Sequence, residues 1–395
     1  MLSPLVSCNG QADSSEPPLK AQAMAIRVTV PGGGEIHKCR FVKVEPGLGT
    51  HVVRMEHSYT PGSHHLLLFR TDLNEVPAAD GTEAVDCYAD GRDIMSHVRG
   101  VVYASQNDKA DMHLPAGVGL PLAPGEVLLL QAHYLNAGAA PLDARVDVKL
   151  SFGAQGSVTE DAGVLFFYQP FIFVPARGSS STLMRCNVPR NVKLLSGLSH
   201  MHKRGVGFEA FLDAPGGELA PTSFYSATDW QHPPSIATPL DVPAGSRLRF
   251  RCDYQNGSEN EALQGQSADR DEMCIFTGLY HPAMPDADSL CLGAADMLGG
   301  GDKSCLDTLT CLRACPPGTA PKIGLANGAE VHPCWQKCFA AACPTAGVPA
   351  LRQLSCLGKN CADDCADTNS ATCIGCVTRS CATEFSTCSA ATCTK

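Results

Sequence analysis

"RVDVKLSF" (Arg145–Phe152) alternates without a break: Val146, Val148, Leu150 and Phe152 fall on one face, Arg145, Asp147, Lys149 and Ser151 on the other. A period of two marks a half-buried β-strand. "RLRFRCDY" (Arg247–Tyr254) repeats the pattern a hundred residues later, with Leu248, Phe250, Cys252 and Tyr254 inward. "EVLLLQAHYLN" (Glu126–Asn136) is a more continuous apolar run and reads as a strand buried on both faces. No long amphipathic helical pattern precedes residue 300. The expected fold is therefore mainly β, with two consecutive antiparallel β-sandwiches.

The chain has 395 residues, enough for two or three domains, and its 37 Gly and 28 Pro suit short strands joined by many turns. We expect a leader over 1–22, a first β domain over 23–157, a second over 158–297 and a different module over 298–395. The formal net charge of −10 argues against nucleic-acid binding, and no apolar run is long enough to span a membrane.

Of 21 cysteines, 14 lie between Cys305 and Cys393. Their spacings repeat no four-ligand zinc pattern, so this density points to disulfides and an extracytoplasmic location: secreted, periplasmic or on an outer surface. Cys311/Cys315, Cys334/Cys338 and Cys361/Cys365 are each spaced i, i+4, which sets both sulfurs on one helical face. Two such helices packed antiparallel are expected to be stapled as Cys311–Cys338 and Cys315–Cys334. The tail is too poor in large apolar residues to stand without bridges, and reads as a small disulfide-rich helical module for stability or docking. The odd cysteine has its own reading. "LVSC" (Leu5–Cys8) resembles a bacterial lipobox, and a Ser/Glu/Pro tether follows. Cys8 is then an expected lipid anchor, holding the chain to a membrane, with the true start upstream.

Histidines supply the chemistry. "SGLSHMHKRG" (Ser196–Gly205) sets His200 and His202 on the same side of a strand. "PGSHHLLLFR" (Pro61–Arg70) holds His64 and His65, "LLLQAHYLNAG" (Leu128–Gly138) holds His133, and "DEMCIFTGLYHP" (Asp271–Pro282) holds Met273. Three imidazoles suit copper or zinc; two imidazoles with a thioether favour copper, since soft sulfur holds Cu(I). Neighbours on a regular strand face opposite ways, so His64 and His65 can share an ion only where the backbone is distorted.

These four segments, in this order over roughly 36–295, resemble the copper type II ascorbate-dependent monooxygenases. The resemblance implies two jelly-roll-like domains and two coppers per chain. His64, His65 and His133 would hold an electron-transfer copper in the first domain, and His200, His202 and Met273 an oxygen-binding copper in the second, at separate sites. It also implies the bridges Cys39–Cys87, Cys186–Cys291 and Cys252–Cys274. A further family bridge near His64 and His65 is missing, both partners having gone together. His37, His51, His57, His113, His232, His281 and His332 have no place in the ligand pattern.

The implied activity is an enzymatic one: hydroxylation of an unactivated C–H bond, with O2 and ascorbate or another one-electron reductant. Met273, Ile275, Thr277 and Leu279 share a strand face and should line a pocket beside the second copper. Peptide-hydroxylating members hold a substrate carboxylate with Asn, Tyr and Arg where this chain has Ile275, Thr277 and Leu198. A neutral, largely apolar small-molecule substrate is expected instead, with Thr277 as its polar handle. The chain is expected to act as a monomer. Two other readings keep the residues without turnover: a non-catalytic copper-binding surface protein, and an adhesion protein whose cysteine-rich tail does the work.

Overall fold

The computed structural model describes residues 19–77, 84–88, 94–169, 172–174, 176–215, 222–236, 238–284, 291, 297–298, 301–316, 333–361, 363–365 and 370–393. Cys8 and His332 lie outside these described residues.

The chain is mainly β, in several sheets that are antiparallel but for one short parallel pair. Leu142–Phe152, the strand containing "RVDVKLSF", runs between Lys20–Val30 and His51–Tyr59. Its Val146, Val148, Leu150 and Phe152 are buried, as the alternation requires. A second sheet runs in the order Val85–Asp86, Glu35–Lys43, Val127–Leu135, Ser63–Thr71, Val98–Ser105. Buried residues of both sheets, such as Ile26, Val146, Phe41 and Leu128, form one core. The parallel pair joins Glu160–Asp161 to Val118–Pro121, so the chain past residue 157 still contributes to the first sheet.

In the second half, Gly163–Tyr168, Cys274–His281, Val192–Leu194 and Leu240–Val242 form one sheet, with Leu198–Met201 also paired to Cys274–His281. The other sheet runs in the order Thr222–Ala227, Gly205–Asp213, Arg247–Gln255, Ser179–Asn187, Met297–Leu298. Along Cys274–His281 the two faces diverge. Cys274, Phe276 and Tyr280 enter the second core, while Ile275 and Leu279, with Met273 just before the strand, pack against the first. One sheet thus serves both halves, which is why its strands read as nearly continuous apolar runs. Gly278 allows a tight approach here: a Cβ would sit 2.1 Å from the Ser196 carbonyl oxygen, so only glycine lets the turn before Leu198 lie against this strand.

Beyond residue 300 the described elements are helices: Cys305–Arg313, Pro333–Ala341, Pro344–Asn360, Ala371–Ser380 and Ala382–Ala390. Ser304 starts the first with a capping box, its Oγ accepting from Asp307 N while the Asp307 carboxylate accepts from Ser304 N. Cys305, Leu309, Leu312 and Phe339 join the second core, so these helices lean on the second β unit.

Ten disulfides join Cys39–Cys87, Cys186–Cys291, Cys252–Cys274, Cys305–Cys388, Cys311–Cys338, Cys315–Cys334, Cys343–Cys393, Cys356–Cys381, Cys361–Cys376 and Cys365–Cys373. Helical spacing misleads at one pair. Cys361 caps Pro344–Asn360, and Cys365 sits in the turn beyond, so these two are not on one helix face. They reach across to Ala371–Ser380, and Cys356, Cys361, Cys376 and Cys381 form a small core made of sulfur. Such bridges place the chain in an oxidising, extracytoplasmic compartment. No described helix is long and apolar enough to cross a membrane.

Candidate metal centre

Strand register assembles the first set. His37 and His65 each pair with His133 from the flanking strands, so three imidazoles stand in a row across the sheet. Between Ser63 and His65 the register slips by one residue. This irregularity is the distortion that adjacent ligands require, and it turns His64 toward the same space. His64, His65 and His133 each offer a nitrogen within 4.8 Å of the other two.

The second set rests on the shared sheet. Leu198 pairs with Thr277, His200 with Ile275 and Met201 with Cys274; the next pair in this register is His202 and Met273. The Cys252–Cys274 bridge ties the strand beginning beside Met273 to Arg247–Gln255. Tyr254 Oη donates to the Met273 carbonyl at 3.0 Å. Glu272, fully buried, accepts from the backbone N–H of His202 at 3.1 Å and of Arg204 at 2.7 Å, and fixes the turn after His200.

The two sets lie against each other. His64, His200 and His202 also offer nitrogens within 4.8 Å of one another, so His64 belongs to both groups. Its ring centroid lies 4.8 Å from that of His200 and 5.0 Å from that of His133. Polar contacts between the halves explain the closure. Glu35 accepts from Ser267 Oγ and Ala268 N, both at 2.6 Å. Gln106 Nε2 donates to the carbonyls of Trp230 and Gln231, and Asn107 Nδ2 to Ser235 Oγ.

These contacts also fix which imidazole nitrogens are free. The two carbonyls orient the Gln106 amide, so its Oε1 accepts from His200 Nδ1 at 2.7 Å and leaves Nε2 with the lone pair. The Asp271 carbonyl accepts a hydrogen bond from His202 Nδ1–H at 3.2 Å, again freeing Nε2. The Glu35 carboxylate accepts a hydrogen bond from His133 Nε2–H at 2.9 Å, leaving the Nδ1 lone pair facing His65. His64 Nε2, His65 Nδ1, His200 Nε2 and His202 Nε2 are buried with no hydrogen-bond partner among the described residues. Unpartnered buried nitrogens are costly unless something is to be bound there. Burial, then mutual repulsion, lowers the pKa of His64, His65, His133 and His200 well below the ordinary value; burial also brings His202 down to about 3. All five are neutral at pH 7, the state a metal needs. The donor set of imidazoles beside a thioether fits copper.

Sequence reasoning missed Glu35, His37 and Gln106. His37 stacks on His133, ring centroids 3.8 Å apart, and its Nε2 is also buried without a partner. Only cross-strand register places these residues beside the ligands. Glu35→Ala should weaken copper binding by about 10–100-fold, because an imidazole that loses its outer hydrogen bond loses its orientation. Competition titration against a copper chelator reads this directly.

Burial lowers the His37 pKa from 6.5 to about 4, and also depresses His57, which is buried between Tyr103 Oη and the Asn107 carbonyl. At His37 the folded chain thus binds fewer protons than the unfolded one between about 4 and 6.5, and the His57 shift acts in the same direction. Stability is present above pH 6.5 and is lost as pH falls; His37 alone accounts for about 3 kcal/mol. Urea denaturation of the copper-free chain at pH 7.5 and pH 4.5 should show this loss.

Met273, His65 and His200 border one cavity of about 60 Å³, with Leu198, Ile275 and Thr277 on its wall. Leu279 is not part of it: two residues further along the strand, it faces a different cavity.

Residues 161–297 match the family described as copper type II ascorbate-dependent monooxygenase, C-terminal domain, which bears out the resemblance over that segment. The matched segment contains His200, His202 and Met273; the first set precedes it. No curated protein matches the chain. Among solved structures, a peptide-N(4)-(N-acetyl-beta-D-glucosaminyl) asparagine amidase is similar at a TM-score of 0.31 and 8% identity, covering 66% of this chain and 96% of its own. A triple jelly-roll protein of an archaeal virus is similar at 0.21 and 7% identity, covering 64% and 58%. Likenesses at this level carry no argument.

Proposed function

We propose that the chain is a copper-dependent monooxygenase that hydroxylates an unactivated C–H bond of a neutral, largely apolar small molecule, using O2 and ascorbate or another one-electron reductant. The carrying observation is the set of buried, neutral, unpartnered imidazole nitrogens that two different sheets bring to one place beside Met273. Two coppers would be held, one by His64, His65 and His133, the other by His200, His202 and Met273. When bound, copper supplies the one-electron chemistry that O2 activation needs.

The chain's own residues do the rest. Glu35, Gln106 and the Asp271 carbonyl hold the imidazole tautomers, so no proton has to leave before a metal is held. Leu198, Ile275 and Thr277 line the cavity beside His200 and exclude water from the reacting C–H bond. Among the described residues neither Lys nor Arg borders it. A substrate carboxylate would be desolvated there without a cation, at a cost of several kcal/mol. Glycine-extended peptides should therefore give little reductant-dependent O2 uptake above the peptide-free rate; efficient, stereospecific hydroxylation of such a peptide overturns the substrate assignment.

In this reading residues 23–157 and 158–297 are two jelly-roll-like copper domains of a monomer. Residues 298–395 are a module for stability or docking, and Cys8 is a lipid anchor.

A further inference from the structure

A second cavity, of about 340 Å³, lies against the first. It runs between Val98–Ser105 and Lys109–His113 on one side and Cys274–His281 on the other, and Tyr103, Leu195, Ile236 and Leu279 are among its walls. The two cavities have four residues in common, Ala104, Ser105, Leu198 and Thr277. Only a layer one side chain thick therefore separates the larger space from the metal side. The sizes divide the labour. About 60 Å³ beside His200 and Met273 admits O2 or the end of a chain, whereas 340 Å³ falls within the range of small-molecule pockets.

We propose that this outer chamber holds the body of an elongated, uncharged, mostly apolar substrate, whose reacting end passes Leu198 and Thr277 into the metal-side cavity. The identity of the ligand as a substrate rests on the monooxygenase reading; the chamber as a binding site does not. The wall chemistry selects the class. Val102, Tyr103, Leu195, Ile236 and Leu279 give aliphatic and aromatic wall, and Ser105, Asn107, Ser196, Ser235 and Thr277 are neutral hydrogen-bonding groups. Charge is confined to one end, at Asp111 and His113, whose side chains are 50% and 64% exposed. Asp111 is already paired with Arg54 and His113. Among the described residues no Lys or Arg borders either cavity, so an anionic headgroup finds no partner among them, whereas a neutral polar end can rest in the wet mouth.

The test uses N-phenyl-1-naphthylamine, a neutral apolar dye that fluoresces in dry sites, titrated into the full chain. Copper-free protein is expected to bind it, and Cu(II) loading, but not Zn(II), should quench the bound dye. Ala110→Trp fills the outer chamber alone and should weaken dye binding at least tenfold while leaving the Cu(II) spectrum unchanged. Ile236→Trp should do the same, should Ala110→Trp fail to fold. Absence of dye binding, unchanged affinity in both variants, or bound dye left unquenched by Cu(II) that the chain has demonstrably taken up would overturn the proposal. A chain that binds the dye in this chamber yet takes up no copper sinks the monooxygenase reading and leaves the chamber standing as a ligand site.

Discussion

Met273→Ile is expected to cut copper binding from two ions per chain to one at sub-micromolar copper, and to bring reductant-dependent O2 uptake down to background. The substitution keeps the bulk and apolar character that lets this position pack against the first core, so the fold should survive. What it removes is the thioether. His200 and His202 then face the second position with imidazole nitrogens alone, a poorer set for Cu(I) than one with soft sulfur. The histidines of the other set lie on Ser63–Thr71 and Val127–Leu135, strands of the other sheet, and their nitrogens are left in place. Copper held by His64, His65 and His133 should therefore keep its EPR spectrum. Atomic absorption of the washed protein reads the stoichiometry. Retention of both coppers with full activity removes Met273 from the ligand set.

Removing the Cys252–Cys274 bridge by a double change to Ala should destabilise the chain by about 2–5 kcal/mol. The bridge closes a loop spanning 22 residues and is fully buried in the second core. Its loss adds chain entropy to the unfolded state and also leaves a cavity between Arg247–Gln255 and Cys274–His281. Because Cys274 follows Met273 directly, Cu(I) affinity at the second set should fall together with stability. The equivalent change at Cys365 and Cys373 should leave copper binding untouched, since that bridge lies in the helical segment. Chemical denaturation under non-reducing conditions, with copper titration of each variant, separates the two effects.

The strands were legible because burial writes itself locally. Val146, Val148 and Leu150 alternate with exposed or half-exposed polar residues, and the sheet leaves them no other arrangement. The distortion at His64 was also foreseeable, since two neighbours cannot face one ion on a regular strand. Glu35, His37 and Gln106 stayed hidden because their roles come from partners 94 to 233 residues away, and one sequence carries no signal of cross-strand register. The closure of the two histidine sets has the same origin: it depends on contacts such as Glu35 with Ser267, which no local pattern encodes. Leu279 shares a face with Thr277, and a strand step of about 7 Å per two residues carries it from the small cavity to the larger one that Thr277 also borders.

The most direct test is copper stoichiometry measured on the same preparation as reductant-dependent O2 uptake. The protein, stripped of metal and reloaded, should retain two coppers per chain and consume O2 when ascorbate or another one-electron donor is supplied with a neutral apolar substrate. Retention of zinc in place of copper, or of copper without any O2 uptake across donors and substrates, would contradict it.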